Sequence, residues 1–273
     1  MKLKCAKFWI LLVSQIRLDM KAHFHFWGSY LWIFLLCLIY RFLLQTALSR
    51  PTIPLGGYQI SFPLFLVSGI ALFRLVLFSV SNVDDAISHL RRSGVIDWIL
   101  ITPTSIHELL FVRSVWGSFL GITQLATAVI FGNLLIGTPI RPFLQGSSFC
   151  ALFLMSFAYI GLGMGIAAVS ILLRRGSFLC SIVQQISSVF GGVFFPTHLL
   201  PKGISFIPQA LPITHALNIA RYAMTHAGQP VILSSFLPLL EMALVYFVLG
   251  FFILQKSLHY ARQNGLLLKD LHE

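Results

Sequence analysis

Few side chains in this sequence could do chemistry. Only eight of its 273 residues are Asp or Glu, and only Glu241 lies inside a long apolar run. General acid–base or nucleophilic catalysis needs a group of this kind with a partner close by. The sequence has no GxSxG or HExxH motif and no GxxxxGK[ST] loop for a nucleotide. We therefore expect no catalytic residue, and any nucleotide chemistry must come from another subunit.

Metal ligands are also not evident. The four cysteines, Cys5, Cys37, Cys150 and Cys180, are scattered without CxxC spacing. The nine histidines form no ligand-spaced cluster, and His23 and His25 are two residues apart, which is the wrong spacing for one helix face. The cysteines are better explained as small buried apolar side chains, so the sequence predicts no metal site.

Composition restricts the protein class. The chain is 57% hydrophobic and 10% charged, with a mean hydropathy of +0.87, whereas soluble domains are about 25% charged. The net charge of +11 does not indicate nucleic-acid binding, because the Lys and Arg residues form short clusters between apolar runs. The sequence predicts an all-α polytopic membrane protein that forms a single domain over 1–273.

The order of apolar runs predicts six transmembrane helices, at about 27–48, 62–81, 109–136, 148–173, 177–195 and 236–255. Residues 1–26 have the pattern of a basic amphipathic helix on the membrane surface. Residues 196–235 are apolar but contain five prolines, so we expect short re-entrant helices before the last span. Residues 256–273 form the C-terminal tail.

Charge distribution predicts the orientation. If the N-terminus is cytoplasmic, twelve Lys and Arg residues lie on the cytoplasmic side and four on the other side. Positively charged residues concentrate in cytoplasmic loops. Both termini and a segment at 84–108 are therefore expected in the cytoplasm, and 196–235 outside.

The cytoplasmic segment between the second and third spans has the pattern of a binding element. Gly94 permits a turn, a short helix follows to Ile101, and Thr102-Pro103 ends it. Ser105 and Glu108 then form a capping box for the next helix. A short helix held between two breaks could insert into a soluble partner, with Asp97 and Trp98 as contact residues. The residues assigned to this coupling role are Gly94, Asp97, Trp98, Thr102, Pro103 and Glu108.

Several polar residues lie in the predicted spans. The fifth span carries Ser181, Gln184, Gln185 and Ser188 at helical spacing, and this stripe could either pack between helices or line a conduit. Arg41 and Arg74 are charges that need a partner or a wet cavity. Arg41 could meet Glu241 at a similar depth, and Arg74 has no obvious partner. We treat Gln184, Gln185, Ser188 and Arg41 as a possible translocation path. The small residues Gly161, Gly163, Gly165, Ala167 and Ala168 indicate close helix packing.

Two segments resemble a known family, the permease subunits of type-two ABC exporters. Residues 94–105, followed by Glu108, are similar to the family's G-T-x-E-x-L-L-x-T-P-x-S-x-x-E segment, with Asp97 in place of Glu and Val95 in place of Thr. The second segment is F-F-P, L-P and L-P-x-T-H-A-L ending in an arginine. Its residues here are Phe195, Pro196, Pro201, Pro212, His215 and Arg221.

The resemblance implies a homodimer bound to two copies of an ATP-binding subunit, which would hold the ATP and Mg²⁺; this chain binds no cofactor of its own. It implies a bacterial inner-membrane exporter of an amphipathic substrate such as a drug, a lipid or a lipid-linked saccharide. The expected partners are those subunits and membrane lipid, without nucleic acid. Two alternatives are a membrane-embedded lipid-modifying enzyme and a passive channel or assembly factor.

Overall fold

The computed structural model describes residues 23–47, 52–55, 58–92, 106–138, 145–173, 176–226 and 233–263. Most of them are helical. In chain order the elements are α1 (His23–Ala47), β1 (Thr52–Leu55), β2 (Tyr58–Ser61), α2 (Phe62–Arg92), α3 (Ile106–Ile136), α4 (Gly146–Leu173), α5 (Gly176–Phe190), α6 (Phe206–Gln209), α7 (Pro212–Thr225) and α8 (Leu237–Gln263), with 3₁₀ turns at Thr197–Leu199, Lys202–Ile204 and Leu233–Phe236.

Local sequence explains where several helices begin and end. Proline follows the first residue of α2 and of α8 and is the first residue of α7, positions where its missing N–H costs no helical hydrogen bond. Helix α3 ends before Gly137, whose φ of 79° lies in the left-handed region. Helix α5 ends before a second such residue, Gly192, with φ of 81°. The helix bounds therefore follow from backbone constraints as well as from hydropathy.

Four helices are long and apolar enough to cross a membrane: Phe62–Ser88, Leu109–Ile136, Gly146–Leu172 and Leu233–Ala261. The apolar parts of α1 (Trp27–Phe42) and α5 (Ser177–Phe190) are shorter within the described residues. The expectation of a helical polytopic membrane protein is confirmed. Of the six predicted spans, the first and the fifth stay predictions.

Several helix ends differ from the limits of the predicted spans and segments. Helix α2 does not stop near residue 81 but runs on to Arg92, because the polar residues after it keep helical spacing and contain no breaker. Helix α5 ends at Phe190 rather than near 195, since the Gly191-Gly192 pair turns the chain. Residues 84–92 and 106–108 of the expected coupling region belong to α2 and α3. The C-terminal tail expected from residue 256 begins inside α8, which continues to Gln263.

A β-hairpin joins α1 to α2, and the all-α prediction missed it. β1 pairs antiparallel with β2, with Thr52 opposite Ser61 and Leu55 opposite Tyr58. Two glycines separate the strands, as two-residue hairpin loops favour. Ile60 is 1% exposed, and β2 contacts both α2 and α7. The hairpin thus joins these two helices at one end of the molecule, although Pro54 and its short length hid it in the sequence.

Helix α4 is the centre of the packing and contacts α2, α7 and α8. Its glycines allow this. The position that a Cβ of Gly161 would take is occupied by the backbone of Phe247 on α8, while a Cβ on Gly163 would meet the side chain of Val83 and backbone oxygens of α2 at 3.3–3.4 Å. Gly250 on α8 lies directly against the carbonyl of Gly161. The predicted close packing of the small-residue run is confirmed, and its two faces serve two different helices.

The Gly161–Gly250 contact gives a stability prediction. Gly250→Ala should lower the midpoint of thermal unfolding in detergent, because the added methyl group meets the Gly161 carbonyl and must separate two helices, at about 1–3 kcal/mol. Gly28→Ala on α1 is the matched control, since no atom lies within 4 Å of its new Cβ. Alanine favours a helix by about 1 kcal/mol over glycine, so Gly28→Ala should not destabilise. A Gly250→Ala protein as stable as Gly28→Ala would contradict the packing.

Candidate translocation and coupling site

The residues predicted to contact a partner subunit lie mostly outside the described residues. This applies to Gly94, Asp97, Trp98, Thr102 and Pro103, whereas Glu108 falls in the first turn of α3. Helix α3 begins at Ile106, directly after Ser105 as the capping-box pattern predicted. The predicted surface helix at 1–26 also lies outside, except that residues from His23 onward belong to α1.

The two helices that flank residues 93–105 are packed together along their length. Gly117 of α3 faces Asn82 of α2, and Gly121 faces Leu75. Near the other end of the pair, Gly132 faces Val67. Asn82 also donates to the carbonyl of Phe78 within α2, at 2.8 Å. Residues 93–105 therefore connect two helices that are closely packed against each other.

The segment between α5 and α8, residues 191–236, is called the α5–α8 connection here. It contains α6, α7 and the three 3₁₀ turns. Helix α7 is largely buried and contacts α2, α4 and β2. Tyr159 of α4 and Ser187 of α5 share a buried hydrogen bond of 3.0 Å. The expected short helical pieces are present, and the longest of them is embedded in the helical bundle. Their re-entrant character stays a prediction.

Arg221 on α7 holds this connection in place. It is 2% exposed, and its guanidinium donates three hydrogen bonds to other elements. Nε donates to Ser68 Oγ at 3.2 Å, Nη1 to the Gly192 carbonyl at 2.9 Å, and Nη2 to the Phe65 carbonyl at 3.0 Å. Its Cζ atom also lies 3.7 Å from the centre of the Phe65 ring. One side chain thus joins α7, the turn after α5, and α2.

These contacts explain how a cation is accommodated so deeply. Each of these partners is neutral, and backbone carbonyls are strong acceptors for a charged donor. The Ser68 hydroxyl donates to the Phe65 carbonyl at 2.8 Å while accepting from Arg221, so the bonds form a chain in which each polarises the next. The Phe65 ring adds cation–π attraction. The planar fork of arginine is needed here, because lysine could not reach acceptors on separate elements.

The turn that Arg221 grips depends on glycine. Gly192 adopts its left-handed φ so that its carbonyl faces the guanidinium. A Cβ on Gly69 of α2 would collide with the Val193 carbonyl, and one on Gly191 would collide with the Ser187 carbonyl. The turn is therefore pressed against α2 close to Ser68.

The other residues of the F-F-P to arginine motif occupy varied positions. Pro196 and Pro212 are buried, Phe195 and His215 are partly buried, and Pro201 is exposed. His215 Nε2 lies 3.0 Å from the Gln209 carbonyl, which connects α7 to α6. The motif was found from the sequence, but its purpose was not. Nothing in the sequence marked Phe65 and Ser68 as the α2 partners of Arg221. Phe65 accepts through its backbone carbonyl, which any residue has.

The polar stripe on α5 divides into two kinds of residue. Gln184 Nε2 donates to Ser81 Oγ of α2 at 2.7 Å, and Ser188 is 4% exposed. Gln185 and Ser181 are exposed. Adjacent residues point about 100° apart on a helix, so the two glutamines cannot share one environment. The structure gives Gln184 a packing role and leaves Gln185 on the surface of the single chain.

Arg41 and Glu241 are not brought together. Both side chains are exposed, on α1 and α8 respectively, and no ion pair joins them among the described residues. The proposed Arg41–Glu241 pair is therefore wrong for a single chain. The equal depth on which it was based says nothing about the sides of the bundle on which the two helices lie.

No group of three or more His, Cys, Asp or Glu side chains that could hold a metal ion occurs within the described ranges. The arrangement is instead that of a helical membrane protein with a buried polar clamp and a tightly packed bundle. The family model of the ABC-2 type transporter matches residues 7–225. The chain therefore belongs to the ABC-2 family of transporter permeases, whose members typically work with an ATP-binding subunit. No curated protein matches it.

Replacing Arg221 tests the clamp. Arg221→Lys keeps the charge but should lower the free energy of unfolding by about 2–5 kcal/mol, since it leaves a buried charge with too few partners and unpairs buried carbonyls. Ser68→Ala removes one of these hydrogen bonds and should cost about 1 kcal/mol. Denaturant unfolding in detergent measures both. If Arg221→Lys were no less stable than Ser68→Ala, the guanidinium would not be the structural link.

The two glutamines of α5 form a matched pair. Gln184→Leu should lower stability by about 0.6–1.7 kcal/mol because it removes the interhelical bond, and Ser81→Ala should add little further loss in the double variant. Gln185→Leu should leave stability unchanged but reduce transport. Equal stability losses for the two glutamine variants, measured by thermal unfolding, would contradict the division.

Proposed function

We propose that this chain is the membrane-spanning subunit of an ATP-driven exporter in a bacterial inner membrane. It works as a homodimer with two ATP-binding subunits, and it moves an amphipathic substrate such as a drug, a lipid or a lipid-linked saccharide. Helices α1, α2, α3, α4, α5 and α8 form its six spans. Helices α6 and α7 are re-entrant, and both termini are cytoplasmic.

The continuity of α2 carries the mechanism. The helix has 31 residues, about 46 Å at 1.5 Å per residue, and it has no break between the Arg221 clamp and residues 93–105. A push on residues 93–105 by an ATP-binding subunit would move α2 and α3 together, because the two helices are packed along their length. Through Phe65 and Ser68 the same motion would reach α7 and the turn at Gly192. The cytoplasmic and the opposite end of the permease are thereby coupled.

The exposed faces of the single chain support a second copy. Past Glu241 in its second turn, helix α8 exposes an apolar surface suited to lipid, with Leu244, Val248 and Phe252 on it. Helix α5 instead exposes Ser181 and Gln185 among Phe178, Ile182, Ile186 and Val189. Polar groups inside a membrane face the bundle interior or a wet cavity rather than lipid. We infer that α5 faces a path between two copies of the chain, with Gln185 lining it.

Charge supports the orientation. Arg91-Arg92 directly precede residues 93–105, and Arg174-Arg175 lie in the loop between α4 and α5. Cytoplasmic loops carry such an excess of positive charge. The hairpin and the α5–α8 connection are both at the opposite ends of these helices. The connection is therefore external and closes the path from outside.

The two alternative functions predict different partners. A lipid-modifying enzyme needs a group of catalytic residues, and a passive channel or assembly factor needs no ATPase. Co-purification of an ATP-hydrolysing subunit with this chain would separate the exporter from both. Its absence under conditions that keep the permease folded would favour the alternatives.

Trp98→Ala is the sharper test of coupling. If Trp98 is a buried anchor at the subunit interface, its truncation should cost about 2 kcal/mol or more, or roughly 30-fold in affinity for the ATP-binding subunit. Substrate-dependent ATPase activity should fall with it, while the permease still reaches the membrane.

Trp32→Ala provides the matched control, because Trp32 is exposed on α1 and the change removes the same side chain. It should leave affinity for the ATP-binding subunit unchanged. If Trp98→Ala behaved like Trp32→Ala, Trp98 would anchor the segment to the membrane surface and the coupling role would be refuted.

A further inference from the structure

Arg74 is a charged residue deep in the bundle that the clamp does not use. It lies on α2, twelve residues after Phe62, which is about 18 Å along the helix. The hydrocarbon core of a bilayer is about 30 Å thick. Arg74 is therefore near mid-membrane, too far from either surface for its head group to reach water by extending along the helix.

Among the residues that the structure describes, Arg74 has no neutralising partner. Its Nη2 atom is buried without an acceptor among the described residues, and no described carboxylate is paired with it. Cys37 on α1 is a titratable side chain close enough to act on it electrostatically. Arg221, whose contacts on α2 are only a few turns away, has three acceptors. An unpaired charge in a membrane is expensive and marks a functional site by default.

A second unpartnered group lies at the same depth. Gln124 on α3 is 2% exposed, and its Oε1 atom has no donor among the described residues. Leu75 of α2 is in contact with Gly121 of α3. Gln124 is one turn from Gly121, so it lies on the face of α3 that packs on α2 and differs from Arg74 in depth by about 3 Å. The side-chain amide of glutamine carries an acceptor oxygen and an N–H₂ donor at nearly equivalent positions. Rotated by half a turn, Gln124 would offer an N–H donor instead.

A polar strip leads to this position from the cytoplasmic end. On α2, successive intervals of seven, four and three residues place four polar side chains on one helix face, and each is at least partly exposed: Arg74, Ser81, Asp85 and Ser88. On α5, Ser177 and Ser181 are exposed and four residues apart, so they lie on one face as well. The Gln184–Ser81 hydrogen bond and the contact of Gly69 with Val193 set α2 and the α5 segment antiparallel, so the two rows run side by side. Beyond Arg74 the Arg221 clamp closes the route.

We propose that Arg74 binds the phosphate-type anionic head group of the transported amphiphile, with Gln124 as a second contact. The strip along α2 and α5 admits the head group from the cytoplasmic side as far as the clamp. This inference rests on the proposed transport function and narrows its substrate to a phosphate-bearing amphiphile.

Equilibrium binding to the isolated permease tests it without needing the ATP-binding subunit. The chain is placed in nanodiscs of phosphatidylcholine, and binding of radiolabelled dodecyl phosphate is measured. Dodecylphosphocholine is the matched ligand, because it has the same tail and a phosphate whose charge is balanced by choline. We expect saturable binding of dodecyl phosphate that Arg74→Gln weakens by about tenfold or more and Arg74→Lys by less. Binding of dodecylphosphocholine should be weaker and insensitive to Arg74→Gln.

Gln124→Leu is a second variant that keeps Arg74, and it should weaken dodecyl phosphate binding by a few-fold. Size-exclusion profiles establish that each variant is folded. Unchanged binding in Arg74→Gln, or no saturable binding in the unaltered chain, would overturn the proposal. If Arg74→Gln does not fold, Arg74→Lys and Gln124→Leu decide it, and unchanged affinity in both would overturn it.

A resident membrane lipid shares the same head-group chemistry. Adding phosphatidylglycerol to the nanodiscs distinguishes it: suppression of dodecyl phosphate binding would assign the site to bulk lipid and refute the substrate role, whereas retained binding supports it. Failure of the transport function would look different. Export or ATPase coupling would then be absent although anion binding at Arg74 remained.

Discussion

The buried guanidinium of Arg221 is the contact on which the arrangement of this permease depends. A cation in a low-dielectric interior is stable only if its donors are satisfied, and here the acceptors come from separate elements. The Phe65 carbonyl and Ser68 hydroxyl belong to α2, and the Gly192 carbonyl belongs to the turn after α5. The charge therefore fixes α7 against α2 more specifically than apolar packing would, since each donor has a direction as well as a distance.

This constraint makes α2 the shared element of the molecule. On one side of it, Arg221 holds α7, Gly69 contacts the turn after α5, and Ile60 packs in the hairpin. On the other side, α3 is packed on it through glycines, and α4 meets it at Gly163. A displacement applied beyond Arg92 cannot be absorbed by a break inside the helix, since the helix has none. Helix α2, which extends past the predicted end near residue 81, thus connects the Arg221 clamp with the end that precedes residues 93–105.

The fold was predictable where hydropathy and backbone chemistry agree. The apolar runs located α3 and α4 closely, the Thr-Pro break and Ser105 gave the start of α3, and the glycines of α4 indicated close packing. Predictions failed, or left alternatives open, where tertiary contacts decide. The end of α2, the division between Gln184 and Gln185, and the false Arg41–Glu241 pair all depend on which side of a helix faces a neighbour. Arg221 was identified by its motif, but its acceptors are mostly backbone atoms, which no sequence pattern displays.

Two arginines at neighbouring depths in the bundle illustrate the difference between structure and binding. Arg221 directs its Nε, Nη1 and Nη2 donors at acceptors, so a ligand would have to break existing bonds to reach it. Arg74 has a buried nitrogen with no acceptor among the described residues. An incoming anion would therefore break no hydrogen bond of this nitrogen and would reduce the free-energy cost of its burial. A protein that tolerates such a cost in the apo state lowers it on binding, which means that the anion should bind more tightly than an equally apolar neutral molecule. A head group bound at Arg74 would meet the clamp about two turns further along α2, and it would pass only if α2 and α7 moved apart.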